Sequence, residues 1–130
     1  MCEEIDENKF IQIIEFPDYY INKKGEIIKM YPTGNLRYLK YSIQNGYPRV
    51  KLYREVILYK KTKIKSKNFF IHRLVAKTFI TNNKPTKKKF VNHKDGNKEN
   101  YHCDNLEWVT PSENNIHYQE KLKPKACLTN

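Results

Sequence analysis

The segment FVNHKDGNKENYHCDNLEWVTPSEN, residues 90–114, constrains the fold more than any other part of the chain. It sets two short apolar runs, KFVNH and LEWVT, on either side of a loop rich in Asp, Asn and Gly. A helix start follows at once. Thr110 stands at the N-cap, Pro111 at the first helical position and Glu113 at the third, the pattern of a capping box. Asp95-Gly96 supplies turn chemistry inside the loop. The stretch therefore reads as strand, irregular loop, strand, helix, with Trp108 as the anchor of a small core and a helix that must stop near Pro124.

The preceding sequence is mostly β in character. YYINKKGEIIKM reads as two short strands joined by a turn over Asn22 to Gly25, where Gly25 supplies a positive φ. In GYPRVKLY, Val50 and Leu52 fall on one side of a strand while Arg49, Lys51 and Tyr53 fall on the other. KKTKIKSKNFFI carries Lys61, Lys63, Lys65 and Lys67 at period two, so an extended backbone lines four ammonium groups along one face. HRLVAKTFI changes period and predicts a short helix over 72–80, ended by Asn82, Asn83 and Pro85. The organisation expected is a disordered acidic leader at 1–9, a β-rich module at 10–66, a second unit at 67–120 and a flexible tail at 121–130. The fold class is α+β.

At 130 residues the chain has the length of one domain. Its 25 Lys and Arg against 14 Asp and Glu give a net charge of +11. That excess favours a polyanionic partner, nucleic acid first and an acidic membrane surface second. No run approaches the roughly 18 to 20 apolar residues of a membrane span. The start, MCEEIDENKF, is acidic and unlike a signal peptide, so an intracellular, non-secreted protein is expected. Heavy use of Lys, Asn, Ile and Tyr suits an AT-rich coding genome such as that of a virus or phage. Cys2, Cys103 and Cys127 are scattered with no C-x-x-C pair. That pattern argues against a zinc knuckle and a disulfide framework, and predicts reduced thiols.

HRLVAKTFI, VNHKDGNK and DNLEWVTPSENNIH, in that order, resemble HNH endonucleases of the phage and intron-homing kind. FPDYYINKKGEIIKM and NGYPRVKLY resemble the nuclease-associated modular motif found ahead of such cores. The resemblance covers roughly residues 10–118. It implies an antiparallel β-rich, DNA-contacting module followed by a ββα-metal HNH core. It also implies hydrolysis of DNA phosphodiesters with one Mg²⁺ or Mn²⁺ per site, leaving 5′-phosphate and 3′-hydroxyl ends. His93 corresponds to the general base, a role suited to a neutral imidazole at neutral pH. Asn105 corresponds to the residue that holds the loop so that His93 faces the water. Asn92 and Asn114 correspond to the metal ligands. The family more often has Asp or His before the base and His on the helix. Two neutral amides imply weak metal binding until DNA phosphate joins the shell. His117, three residues past Asn114, and Asp95 are the other candidate ligands.

His72 begins a helix beside an apolar run and is read as a packing or capping residue. Double-stranded DNA is the partner expected, bound by a monomer or weak dimer. One site cuts one strand, so a monomer is expected to nick. Arg49 and Lys51, the lysines 61, 63, 65 and 67, and Lys87, Lys88 and Lys89 are the candidate DNA contacts. The rival for the lysine stripe is an edge guarded against sheet pairing. The rival for the whole is a catalytically inactive DNA-binding protein that keeps the HNH fold.

Overall fold

The computed structural model describes residues 6–117, with the backbone alone over 115–117. The first five residues of the predicted leader, the tail at 121–130 and the helix stop near Pro124 lie outside that range. Nine strands and two α-helices are described. They run β1 (Ile11–Gln12), β2 (Tyr19–Ile21), β3 (Ile27–Met30), β4 (Leu36–Tyr38), β5 (Ser42–Gln44), β6 (Tyr47–Leu58), β7 (Lys61–Phe70), α1 (Ile71–Phe79), β8 (Phe90–His93), β9 (Leu106–Val109) and α2 (Pro111–His117). A 3-10 turn, Cys103–Asn105, precedes β9. The strands form three antiparallel sheets, ordered β1-β2-β3-β4, β5-β6-β7 and β8-β9. An antiparallel β-rich region thus leads into a ββα unit, as expected of the α+β class.

The β2–β3 turn forms where Asn22 and Gly25 predict it. Asn22 Oδ1 accepts from the Glu26 amide at 2.9 Å, and Asn22 Nδ2 donates to Glu26 Oε1 at 2.8 Å. Gly25 sits at φ +82°, and a Cβ there would lie 2.2 Å from Tyr101 Cδ1. Left-handed backbone costs a non-glycine residue about 1–2 kcal/mol, and forced overpacking adds about 1–3 kcal/mol. Gly25→Ala is therefore expected to destabilise the protein by about 2–5 kcal/mol, read as a lowered denaturant midpoint at unchanged slope.

β7 pairs with β6 along its whole length, from Arg49↔Phe70 to Leu58↔Lys61. The connection is Tyr59-Lys60, with φ of 53° and 63°. Two successive positive φ values match the primed two-residue turn that continues the strand twist. One end of the ribbon belongs to the body, where Val50 and Leu52 are buried. Towards the turn the side chains become exposed, Ile57, Ile64 and Tyr59 among them.

One apolar core joins these parts. It takes Ile13, Phe16, Tyr19, Ile21 and Ile27 from the first sheet, Val50 and Leu52 from the ribbon, and Leu74, Val75, Ala76 and Phe79 from α1. Cys103 and Leu106 close it from the ββα side. The division at 66/67 falls inside β7, and residues on both sides of it contribute to this core. Trp108 packs against the cluster and donates its indole N–H to the Ile80 carbonyl at 3.0 Å. Cys103 is disulfide-bonded, which corrects the expectation of three reduced thiols. Sequence spacing carries no information on which thiols meet in space. No helix among the described residues is long and apolar enough to cross a membrane.

Candidate active site

β8 and β9 lie in register with Asn92 opposite Glu107 and His93 opposite Leu106. The strand therefore delivers Asn92 and His93 together to one end of the hairpin, where each is 5% exposed. Asn92 Nδ2 donates to Glu107 Oε1 at 3.0 Å. An amide tied by its N–H₂ to a carboxylate presents its carbonyl oxygen as the atom left for a cation.

The loop between the strands is closed by Asn105. Its backbone carbonyl accepts from the Lys94 amide at 2.7 Å, and its Oδ1 accepts from the Asp95 amide at 3.1 Å. Its Nδ2 donates to Asp95 Oδ1 and to the Asn100 carbonyl, both at 2.9 Å. Asp95 also accepts from the Asn97 amide and from Asn100 Nδ2, each at 2.8 Å. These hydrogen bonds hold the Asp95 carboxyl below its ordinary range, that from Asn100 most strongly. Asp95 is thus occupied in fixing the loop. At the other side, both arms of the capping box form. Glu113 N donates to Thr110 Oγ1 at 3.1 Å, and Thr110 N donates to Glu113 Oε1 at 3.3 Å. The cap starts α2 at Pro111 and brings Asn114 over the cleft.

Asn92, His93 and Asn114 line one cleft of about 800 Å³, with Asn45, Tyr47, Phe70, His72, Arg73 and Lys98 among the other walls. Among the described residues no carboxylate lines it, and the charged ones are Arg73 and Lys98. The His72 and His93 ring centroids are 4.8 Å apart, and Tyr47 packs on both, at 5.0 and 5.7 Å. Lys98 Nζ sits 4.8 Å above the Tyr47 ring. Burial pushes His93 below the ordinary imidazole value. The Asp95 charge pulls it upward and Lys98 downward, and burial prevails. Burial, with His93 and Arg73 nearby, takes His72 down to about 3. Both rings are neutral at pH 7.

A buried neutral histidine has a consequence in acid. The unfolded chain binds a proton at His72 below about pH 6.5, whereas the folded one resists it down to about 3. The stabilisation is complete above pH 6.5 and is lost as pH falls towards 3, at up to about 1.4 kcal/mol per pH unit. The wild-type stability is expected to fall across pH 6 to 4, and His72→Phe to flatten that slope in urea titrations.

Among the described residues, no three His, Cys, Asp or Glu side chains gather as a metal-binding group. The candidate donors in the cleft are the amide oxygens of Asn92 and Asn114. Such oxygens suit a hard divalent cation but do not offset its charge. Arg73 and Lys98 add further positive charge, so a divalent cation held by these two amides would need phosphate oxygens to complete and neutralise its shell. The side chain of His117 lies outside the described residues.

The candidate DNA contacts separate into two surfaces. Residues paired across a ribbon share a face. Lys61, Lys63, Lys65 and Lys67 pair with Leu58, Val56, Arg54 and Leu52 on one face, while Arg49 and Lys51 lie on the other. Lys67 joins Arg73, Lys77, Lys88 and Lys89 around a second cleft, and Arg73 also borders the cleft that holds His93. Arg49 and Lys51 line a third cleft with Lys29, Arg37 and Lys40 and five tyrosines. Arg49 donates to Gln44 Oε1 at 2.6 Å. Lys87 is exposed and lines none of these clefts. The sequence reading did not single out Tyr47, Arg73, Lys98 or Glu107. It read His72 as a packing or capping residue, and His72 is buried against the rings of Tyr47, Phe70 and His93.

Residues 69–116 match the family model described as HNH endonuclease. An uncharacterised HNH endonuclease of Acanthamoeba polyphaga mimivirus, L245, is 40% identical over 109 residues, which is 84% of this chain and 29% of the viral protein. The H-N-H endonuclease F-TflII of Escherichia phage T5 is 32% identical over 82% of this chain and 50% of its own length. The DNA endonuclease I-HmuI of Bacillus phage SP01 is 36% identical over 71% of this chain and 46% of its own. The chain thus spans half or less of these relatives. No solved structure matches it significantly. A chain that fits the family model over 69–116, and aligns over most of its length with nucleases of phages and a mimivirus, carries an HNH-family endonuclease domain.

Proposed function

We propose that the protein is a divalent-metal-dependent DNA endonuclease of homing or mobile-element type, with His93 as its general base. The observation that carries this reading is the meeting of a neutral, buried His93 with Asn92 and Asn114 in a cleft whose charged walls are all cationic. A cleft of that charge attracts a phosphodiester and offers it nothing to repel it. Arg73 and Lys98 grip phosphate oxygens there, and the groove through Lys67, Lys88 and Lys89 continues the backbone track from Arg73. His93, neutral at physiological pH, takes the proton from the attacking water. Asn105 keeps the loop closed behind it. Asn92 and Asn114 would hold Mg²⁺ or Mn²⁺, which when bound supplies charge relief at the phosphate and at the departing 3′ oxygen.

Supercoiled plasmid is expected to relax to nicked circles with Mg²⁺ or Mn²⁺ and to stay intact with EDTA. The neutral ligand pair favours one alternative, a DNA-binding protein without turnover. That protein would bind duplex with steep salt dependence and leave the plasmid uncut under either metal.

A further inference from the structure

Among the described residues, two buried side-chain nitrogens have no hydrogen-bond partner: His72 Nδ1 and His93 Nε2. They belong to adjacent rings, 4.8 Å apart between centroids and inclined at 54°. His72 is 7% exposed and His93 5%. A buried polar atom left unsatisfied costs about 1–3 kcal/mol, so two orphans side by side are a standing incentive to pair. A centroid separation of 4.8 Å places the two rings within the range that a ring-to-ring N–H···N bond spans.

We infer that His72 is a positioning residue for the base: its Nδ1 accepts a hydrogen bond from His93 Nε2–H and so fixes the tautomer of His93. The pairing leaves Nδ1 of His93 bare, as the nitrogen that receives the proton from water. The chemistry is one-directional. An acceptor on the far side of the ring forces the proton onto Nε2, whereas an imidazole without one distributes between two tautomers, of which one is no base at Nδ1. His72 is suited to accept because it stays neutral at every pH at which His93 works. Its own place is fixed by α1 and by the rings of Tyr47 and Phe70, at 5.0 and 5.6 Å. α1 thereby connects the apolar core to the base through one side chain.

The inference rests on the assignment of His93 as the base, but its test does not. In nitrogen-resolved NMR of the whole wild-type chain at pH 7, without metal or DNA, His93 is expected as the Nε2–H tautomer. A through-hydrogen-bond coupling to His72 Nδ1 is expected with it. In His72→Phe the coupling vanishes and His93 shifts towards Nδ1–H or a mixture. Asn places an amide atom where Nδ1 of His lies, and Gln places it where Nε2 lies. His72→Asn is therefore expected to keep the tautomer and nick within about threefold of wild type, with His72→Gln and His72→Phe at least about tenfold slower. An Nδ1–H tautomer in the wild type, or a tautomer unmoved by His72→Phe, overturns the inference whether or not the plasmid is cut. If the wild type holds the tautomer but cuts nothing, the inference stands and the nuclease reading fails.

Discussion

Replacing His93 with alanine is expected to slow nicking by about 10²–10⁴-fold, the usual contribution of a positioned general base. DNA affinity should change little, because the phosphate contacts proposed above are Arg73, Lys98 and the lysines of the neighbouring groove and not His93. The two quantities are measured together: nicking rate at saturating metal, and duplex binding by anisotropy under the same salt. Loss of both would mean that the alanine had opened the cleft, since His93 is packed between Tyr47 and His72. The wild-type pH profile gives an independent check. Burial lowers the pKa of His93, so the imidazole is already a free base at neutral pH. Rates should rise with pH along an acid limb whose midpoint lies below that of an unperturbed histidine, and flatten by pH 7.

Phe79→Ala should be the most destabilising single truncation in α1. Phe79 is fully buried, as are Val75 and Ala76 one turn earlier. Removing such a ring costs about 3–5 kcal/mol through lost burial and the cavity left behind. Against the roughly 5–15 kcal/mol that holds a typical domain together, that is about a fifth of the stability or more. Guanidinium unfolding would register it as a large drop in midpoint. The same helix carries His72 and Arg73, so activity should fail at lower temperature than in wild type before any chemical defect is visible.

The ββα unit was legible because its signals are local. Thr110, Pro111 and Glu113 mark a helix start within four residues, and both arms of that box form. Asn22 and Gly25 mark a turn the same way. The β6–β7 turn was not legible. Tyr59 and Lys60 both take positive φ, yet neither is the Gly, Asn or Asp that signals it. There the register of ten cross-strand pairs dictates the turn, and pairing is a non-local property. The site shows the same contrast. His93, Asn92 and Asn114 were marked by the motifs that resemble HNH endonucleases, all within residues 92–114. His72 and Tyr47 reach the cleft from elements 20 and more residues away, and only packing shows that they meet His93. Of the nine candidate cations, Lys51, the four alternating lysines, Lys87 and Lys89 are exposed while Arg49 and Lys88 are half-buried. Sequence could not say that the ribbon turns Arg49 and Lys51 away from the four alternating lysines.

The ribbon also sets a distance. Tyr47 touches His93, and Leu58 ends the same strand at the turn. At about 3.3 Å per residue that strand spans about 36 Å if straight, close to the ~34–36 Å of one duplex turn. In the proposed nuclease, a ribbon laid along the duplex axis would put Tyr59 and Lys60 about ten base pairs from the bond that His93 addresses. The strand works as a ruler graduated in pairs of residues. Removing two from each side brings the far mark in by about 7 Å and keeps the lysines on their face. Removing one turns every mark over.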